Sequence, residues 1–193
     1  HKKNSFIYYI GARTGKEGLG GADMASKQFS ETINSFAKLK SSIQTGDPFL
    51  EKLLLEACCE LSEAKILEGM QDMGAGGLLC SSLEIILRGR KKTSDNLGCH
   101  IFLDKVPTKE YLTPTEILIS ESQERMLLVC ENSSVVEEIC KKWDIEYSRI
   151  GKVTDDGKYT VFNEGQIVYD KPIEDFVPVE EDWKLNYQDE LEK

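Results

Sequence analysis

The chain has 193 residues, 40% of them apolar and 30% charged, the balance of an ordinary globular protein rather than of a disordered one. No run of about 18 apolar residues and no signal-peptide pattern is present, which leads to the expectation of a cytosolic soluble protein with no membrane partner. Net charge is −10, but residues 174–193 carry eight acids against two lysines, so the body is only mildly acidic and lacks the clustered Lys and Arg of a nucleic-acid groove.

The chain opens on His1 rather than on methionine, which suggests a fragment or a processed chain. Residues 5–10 (Ser-Phe-Ile-Tyr-Tyr-Ile) are predicted as a strand running into Gly11. Residues 11–21 hold five glycines and read as a loop that folds back sharply, followed by a short helix over 22–29 and a polar linker to about residue 40. In Gln44-Thr45-Gly46-Asp47-Pro48, Asp47 can cap a helix whose first position is Pro48, where the missing amide costs nothing. Leu50, Leu54, Ala57, Leu61 and Ala64 recur at helical spacing with Gly69 as a stop, predicting a largely buried helix over 48–68. Residues 71–77 form a second glycine-rich turn. It leads into a helix carrying Leu78, Leu79, Leu83, Ile86 and Leu87 and ending at Gly89, where Arg88, Arg90, Lys91 and Lys92 suit a helix carboxy-terminus.

After a loop over 93–98, a strand is predicted at 99–103, a helical turn at 113–116 and a strongly apolar strand at 125–130. Val135, Val136, Ile139, Cys140 and Trp143 share one helical face, with Asn132 or Ser133 as its cap. Strands at 145–153, 158–162 and 166–170, joined by Asp155-Asp156-Gly157 and Asn163-Glu164-Gly165, predict a terminal antiparallel meander. The fold class is therefore α+β, a mixed, largely antiparallel sheet covered by helices, over a domain at 1–177 with an acidic linker or tail at 178–193. The six cysteines lack zinc-ribbon spacing and lie mostly in apolar runs, so they are expected to be buried and reduced.

Three segments can carry chemistry. The glycine-rich 11–21 stretch, with Arg13 and Lys16, can cradle a phosphate or simply make a tight structural turn. Asp72, before Gly74, Gly76 and Gly77, leaves room for a hydrated divalent ion and its phosphate ligands, and equally fits a helix cap. Glu121, Ser122 and Gln123 at the mouth of an apolar strand can hydrogen-bond a hydroxylated or amide ligand, or form a solvated turn. The histidines are His1 and His100, which leaves no Ser-His-Asp or Cys-His set and no catalytic residue expected in this chain.

Taken in order, residues 11–22 (GARTGKEGLGGA), 44–52 (QTGDPFLEK), 71–78 (QDMGAGGL), 119–126 (ISESQERM) and 151–157 (GKVTDDG) closely resemble signatures of phosphoribosylformylglycinamidine synthase subunit II of the small form. The likeness runs over about 6–177 and points to the first carboxy-terminal-type domain, of the aminoimidazole ribonucleotide synthetase-like superfamily. The resemblance implies part of an ATP-dependent ligase that turns formylglycinamide ribonucleotide and glutamine-derived ammonia into the formylglycinamidine, its catalytic histidine and most ATP contacts lying outside this chain. It assigns Gln44, Glu121, Ser122 and Gln123 to the substrate and Asp72 to Mg2+ at the nucleotide phosphates. It also implies as partners the remaining domains of the same subunit, a glutaminase subunit and a small bridging subunit. Residues 88–96 depart from the family as a longer, more basic loop. The alternatives are a sibling ATP-using family, such as aminoimidazole ribonucleotide synthetase or selenophosphate synthetase, and a non-catalytic binding or scaffolding domain.

Overall fold

A computed structural model describes residues 2–19, 45–93 and 95–176. The helix expected at 22–29, the linker after it, Gln44 and the acidic 178–193 segment lie outside the described residues. Strand β1 (Phe6–Gly11) forms as expected. Because successive strand side chains point to opposite faces, Ile7 and Tyr9 enter one core while Tyr8 and Ile10 enter the other.

Helix α1 (Pro48–Glu63) starts where Asp47 accepts from the amides of Phe49 at 3.0 Å and Leu50 at 3.1 Å. It stops short of the expected 68. Lys65 turns to φ 53, and the chain enters strand β2 (Leu67–Asp72), so Gly69 lies within a strand instead of ending a helix. Helix α2 (Gly77–Thr93) likewise runs past Gly89, which is buried within it. Residues 88–93, expected as a loop, are its last turns, held there because Arg90 donates to Leu97 O at 2.6 Å and pairs with Glu174.

Strand β3 (Gly98–Phe102), helix α3 (Pro114–Ile119), strand β4 (Arg125–Cys130) and helix α4 (Ser133–Lys142) follow. Thr113 and Glu116 close a reciprocal capping box on α3, and Asn132, of the two candidates, caps α4. Strands β5 (Tyr147–Thr154), β6 (Lys158–Asn163) and β7 (Gln166–Pro172) complete the fold.

Among the described residues the strands form one seven-stranded sheet in the order β2-β4-β1-β5-β3-β6-β7. Every neighbouring pair is antiparallel except β3 and β6. The α+β class and the largely antiparallel mixed sheet stand, but the terminal meander does not. Only β6 and β7 make a hairpin, because β3 inserts between β5 and β6. Gly98 permits the insertion: a Cβ there would lie 2.4 Å from Asp156 Oδ1 and 2.5 Å from Lys158 O.

Two cores flank the sheet. On one face Ile7, Tyr9, Leu127 and Val129 pack with Leu78 and Ile86 of α2 and Ile117 of α3. On the other, Tyr8, Ile10, Leu128 and Cys130 pack with Leu54, Ala57 and Leu61 of α1 and Val136 and Ile139 of α4. Burial on both faces explains why β1 and β4 read as continuous apolar runs. It also leaves the ends of β2 and β4 beside α1, where the sheet borders a cleft.

Candidate functional site

A cleft of about 490 Å³ opens between α1 and the point where β2 ends and β4 begins. Leu54, Cys58, Met70 and Met126 contribute apolar wall, while Asp72, Gln123 and Glu124 bring polar groups to it. Asp72, the last residue of β2, pairs with Met126 in the ladder and is exposed. Its Oδ1 accepts from Gly74 N at 3.0 Å, and its Oδ2 from Gln71 Nε2 at 3.3 Å. A Cβ on Gly74 would stand 2.9 Å from that Oδ1, so the bare backbone leaves space beside the carboxylate.

Across the cleft, the 120–124 segment is held from below. Glu121 Oε1 accepts from Gly76 N at 3.0 Å, next to the amino-terminus of α2, where the helix dipole favours a carboxylate. A Cβ on Gly18, at φ +74, would fall 2.4 Å from Glu121 Cβ, so the glycine-rich loop lies directly against this side chain. Gln123 is half-buried and donates to Glu121 O at 3.2 Å. Ser122 borders the cleft but is only 2% exposed, and its hydroxyl accepts from Gly15 N at 2.9 Å and donates to Glu17. Asp72, Ser122 and Gln123 therefore line one cleft, with Glu121 at the adjoining helix end. Gln44 lies outside the described residues, yet the segment after it reaches the same rim: Asp47 N donates to Glu124 Oε1 at 3.0 Å.

Three further residues organise the site without having been singled out from the sequence. Glu124 holds the start of α1. Glu17 joins Lys109 to Ser122; burial alone would raise its carboxyl, but the Lys109 ammonium and the Ser122 hydroxyl outweigh that and hold it below its ordinary range. Arg125 is 3% exposed and donates to Ser122 O, Ser120 O, Met73 O and Thr14 Oγ1. Burial pushes its guanidinium down from the ordinary value, but Arg stays charged at neutral pH. The signal for Arg125 was present in the strand's period: 125, 127 and 129 share the face that carries Leu127 and Val129 into the core.

Two free cysteines line the cleft, Cys59 exposed and Cys58 half-buried. Burial raises the Cys58 thiol to about 11, which keeps it protonated at neutral pH. His100, on β3, lies edge-on to Phe162 of β6, with β5 and β1 between it and β4. Among the described residues no group of three or more His, Cys, Asp or Glu is placed to hold a metal ion. An exposed carboxylate over glycine backbone, with Glu51 and Glu124 also lining the cleft, fits Mg2+, which commonly takes one or two protein carboxylates and completes its shell with water and phosphate oxygens.

Residues 4–163 match the family model described as AIR synthase related protein, C-terminal domain. The chain is 46% identical over 171 residues to phosphoribosylformylglycinamidine synthase subunit PurL of Anaeromyxobacter dehalogenans (strain 2CP-C), a match covering 87% of this chain and 21% of that protein. The solved structure of T. maritima PurL complexed with FGAR superimposes with a TM-score of 0.78 at 37% identity, covering 90% of this chain and 28% of that one. For T. maritima PurL complexed with ATP the TM-score is 0.71 at 34% identity, covering 90% and 25%. The chain thus spans about a fifth of the length of the curated relative, 21%. With strands β1 to β6 all inside the matched residues, the chain belongs to the AIR synthase related protein, C-terminal domain family.

Proposed function

We propose that this chain is the substrate- and Mg2+-binding domain of an ATP-dependent ligase that converts formylglycinamide ribonucleotide, glutamine-derived ammonia and ATP to formylglycinamidine ribonucleotide, ADP and phosphate. The observation that carries the reading is the cleft shared by Asp72, Ser122 and Gln123, with Glu121 beside it. PurL relatives solved with FGAR and with ATP give the two ligand chemistries such a cleft would serve.

In this reading Gln123 offers its side-chain amide to the polar groups of the ribonucleotide, and Glu121 accepts hydrogen bonds from it. Ser122 contributes through the loop it fastens, since its hydroxyl is already engaged by Gly15 and Glu17 and its carbonyl by Arg125. Gln44, assigned to the substrate by the sequence resemblance alone, would be a further contact. Asp72 would hold Mg2+, which when bound neutralises phosphate charge and orients phosphoryl transfer. The groups that transfer the phosphoryl and admit ammonia would come from the other domains of the same polypeptide, with a glutaminase subunit supplying the ammonia and a small subunit bridging the two, all in the cytoplasm.

The test is Asp72→Asn in the full-length polypeptide that carries this chain, following phosphate release with formylglycinamide ribonucleotide, ATP and ammonium. The half-saturating Mg2+ concentration is expected to rise roughly tenfold or more, as for lost metal-site groups generally. An unchanged Mg2+ dependence would overturn the assignment.

A further inference from the structure

We propose that Arg125 is the positioning residue of this cleft, setting the spacing between the Asp72 end of β2 and the 120–123 loop. The inference rests on the functional reading above only for its kinetic consequence; the geometric claim stands on its own contacts.

Arg125 opens β4 and is 3% exposed. A buried cation is tolerated only when its N–H groups are satisfied. Here the acceptors are neutral oxygens drawn from three separate stretches of chain. Nε donates to Ser122 O at 2.6 Å, Nη2 to Ser120 O at 2.6 Å and Met73 O at 3.1 Å, and Nη1 to Thr14 Oγ1 at 3.1 Å. Glu17 and Glu121 supply negative charge from further off.

Each acceptor adjoins a residue of the candidate site. Met73 follows Asp72 and is pinned twice, because its own amide also donates to Arg125 O at 3.1 Å. Ser120 and Ser122 flank Glu121, and Ser122 precedes Gln123. Thr14 belongs to the loop that supplies Gly15 to Ser122. A guanidinium is a rigid planar fork, so the positions of its acceptors are fixed relative to one another. Asp72 on one strand and Glu121 to Gln123 before another are thereby tied by side-chain bonds that add to the β2–β4 ladder, which pairs Asp72 with Met126, and to the Gly76–Glu121 hydrogen bond. Lysine carries the same charge but is a point donor on a flexible stem and cannot hold carbonyls in this fan.

The test uses R125K and R125Q in the full-length polypeptide. Two variants are needed because one of them losing its fold would leave the other to decide. Amide hydrogen exchange is expected to quicken in 73–77 and 120–124 together while the amides of β1 stay protected. The KM for formylglycinamide ribonucleotide and the half-saturating Mg2+ concentration are expected to rise together, roughly tenfold to a hundredfold, with kcat per folded molecule falling less. Exchange unchanged in either segment, or raised equally across β1 and β4, would overturn the proposal, as would both constants staying within about twofold of the parent. If the parent polypeptide itself turns over no formylglycinamide ribonucleotide, the proposed function fails, and the exchange pattern alone then upholds or refutes Arg125.

Discussion

Gly77 begins α2 at φ +57, and a Cβ there would lie 2.2 Å from Ser120 O, 3.0 Å from Leu118 O and 3.1 Å from Ile119 C. All three are backbone atoms, so no rotamer change relieves the clash. A carbon and a carbonyl oxygen approach to about 3.3 Å, so Gly77→Ala must drive the 118–120 backbone away by about 1 Å. That carbonyl is the one Arg125 Nη2 holds at 2.6 Å. Left-handed strain on alanine costs about 1–2 kcal/mol, overpacking about 1–3, and weakening a charged hydrogen bond adds to both, for a total of about 3–6 kcal/mol. Gly165 is the matched control: its φ is +77, in the β6–β7 turn, and nothing lies within 4 Å of its Cβ position. Gly165→Ala carries the strain alone, about 1–2 kcal/mol, and the loss of unfolded-chain entropy is common to both variants. Urea unfolding of the two variants should separate them by at least about 2 kcal/mol at equal m-value. Equal midpoints would show that the 118–120 backbone yields freely, and the account of a rigid junction between α2 and the 120–124 segment would fail.

Asp47→Ala removes the acceptor for Phe49 N and Leu50 N and should cost about 1 kcal/mol in urea unfolding, with Asp47→Asn restoring most of it. Glu17 is held below its ordinary value of 4.5, so its stabilising contribution is present above that pH and is lost as pH falls through the lower folded value. Glu17→Gln should accordingly flatten the loss of urea midpoint below pH 4.5 relative to the parent chain, and identical acid limbs would refute the Lys109–Glu17–Ser122 link.

Local chemistry was legible where the element carries its own punctuation. Asp47-Pro48 marks the start of α1, Asn132-Ser133 that of α4 to within a residue, and the apolar 125–130 run gives β4 to the residue. Helix ends were less legible because they are decided from outside. Residues 64–68 continue the helical pattern of α1, and it is the pairing of β2 with β4 that draws them away. The sequence of β2, Leu-Glu-Gly-Met-Gln-Asp, has neither alternation nor β-branched residues, as an edge strand with one bonded neighbour can afford. The insertion of β3 beside β6 joins segments far apart in sequence, and no turn residue announces it.

The site was legible as residue types and not as roles. Three glycine-lined or polar segments stood out because each departs from the apolar periodicity around it, and their cleft borders the same strand ends. What residue types alone could not convey is which polar groups face the cleft and which are consumed in building it. Ser122 has the sequence signature of a ligand contact, yet Glu17 takes its one donor and Gly15 one of its two acceptor sites. Arg125 has the signature of a strand's charged end, yet it is buried and fans across three segments. The distinction follows from counting donors and acceptors. A hydroxyl can donate once, and once Glu17 has taken that donor a ligand cannot use it without displacing a carboxylate. A guanidinium has five donors, so the same enclosure that exhausts a serine lets an arginine join several carbonyls at once. In a cleft assembled from loop ends instead of from one regular element, the side chain with the most donors is the one able to fix the others, and its burial is what keeps water from competing for them.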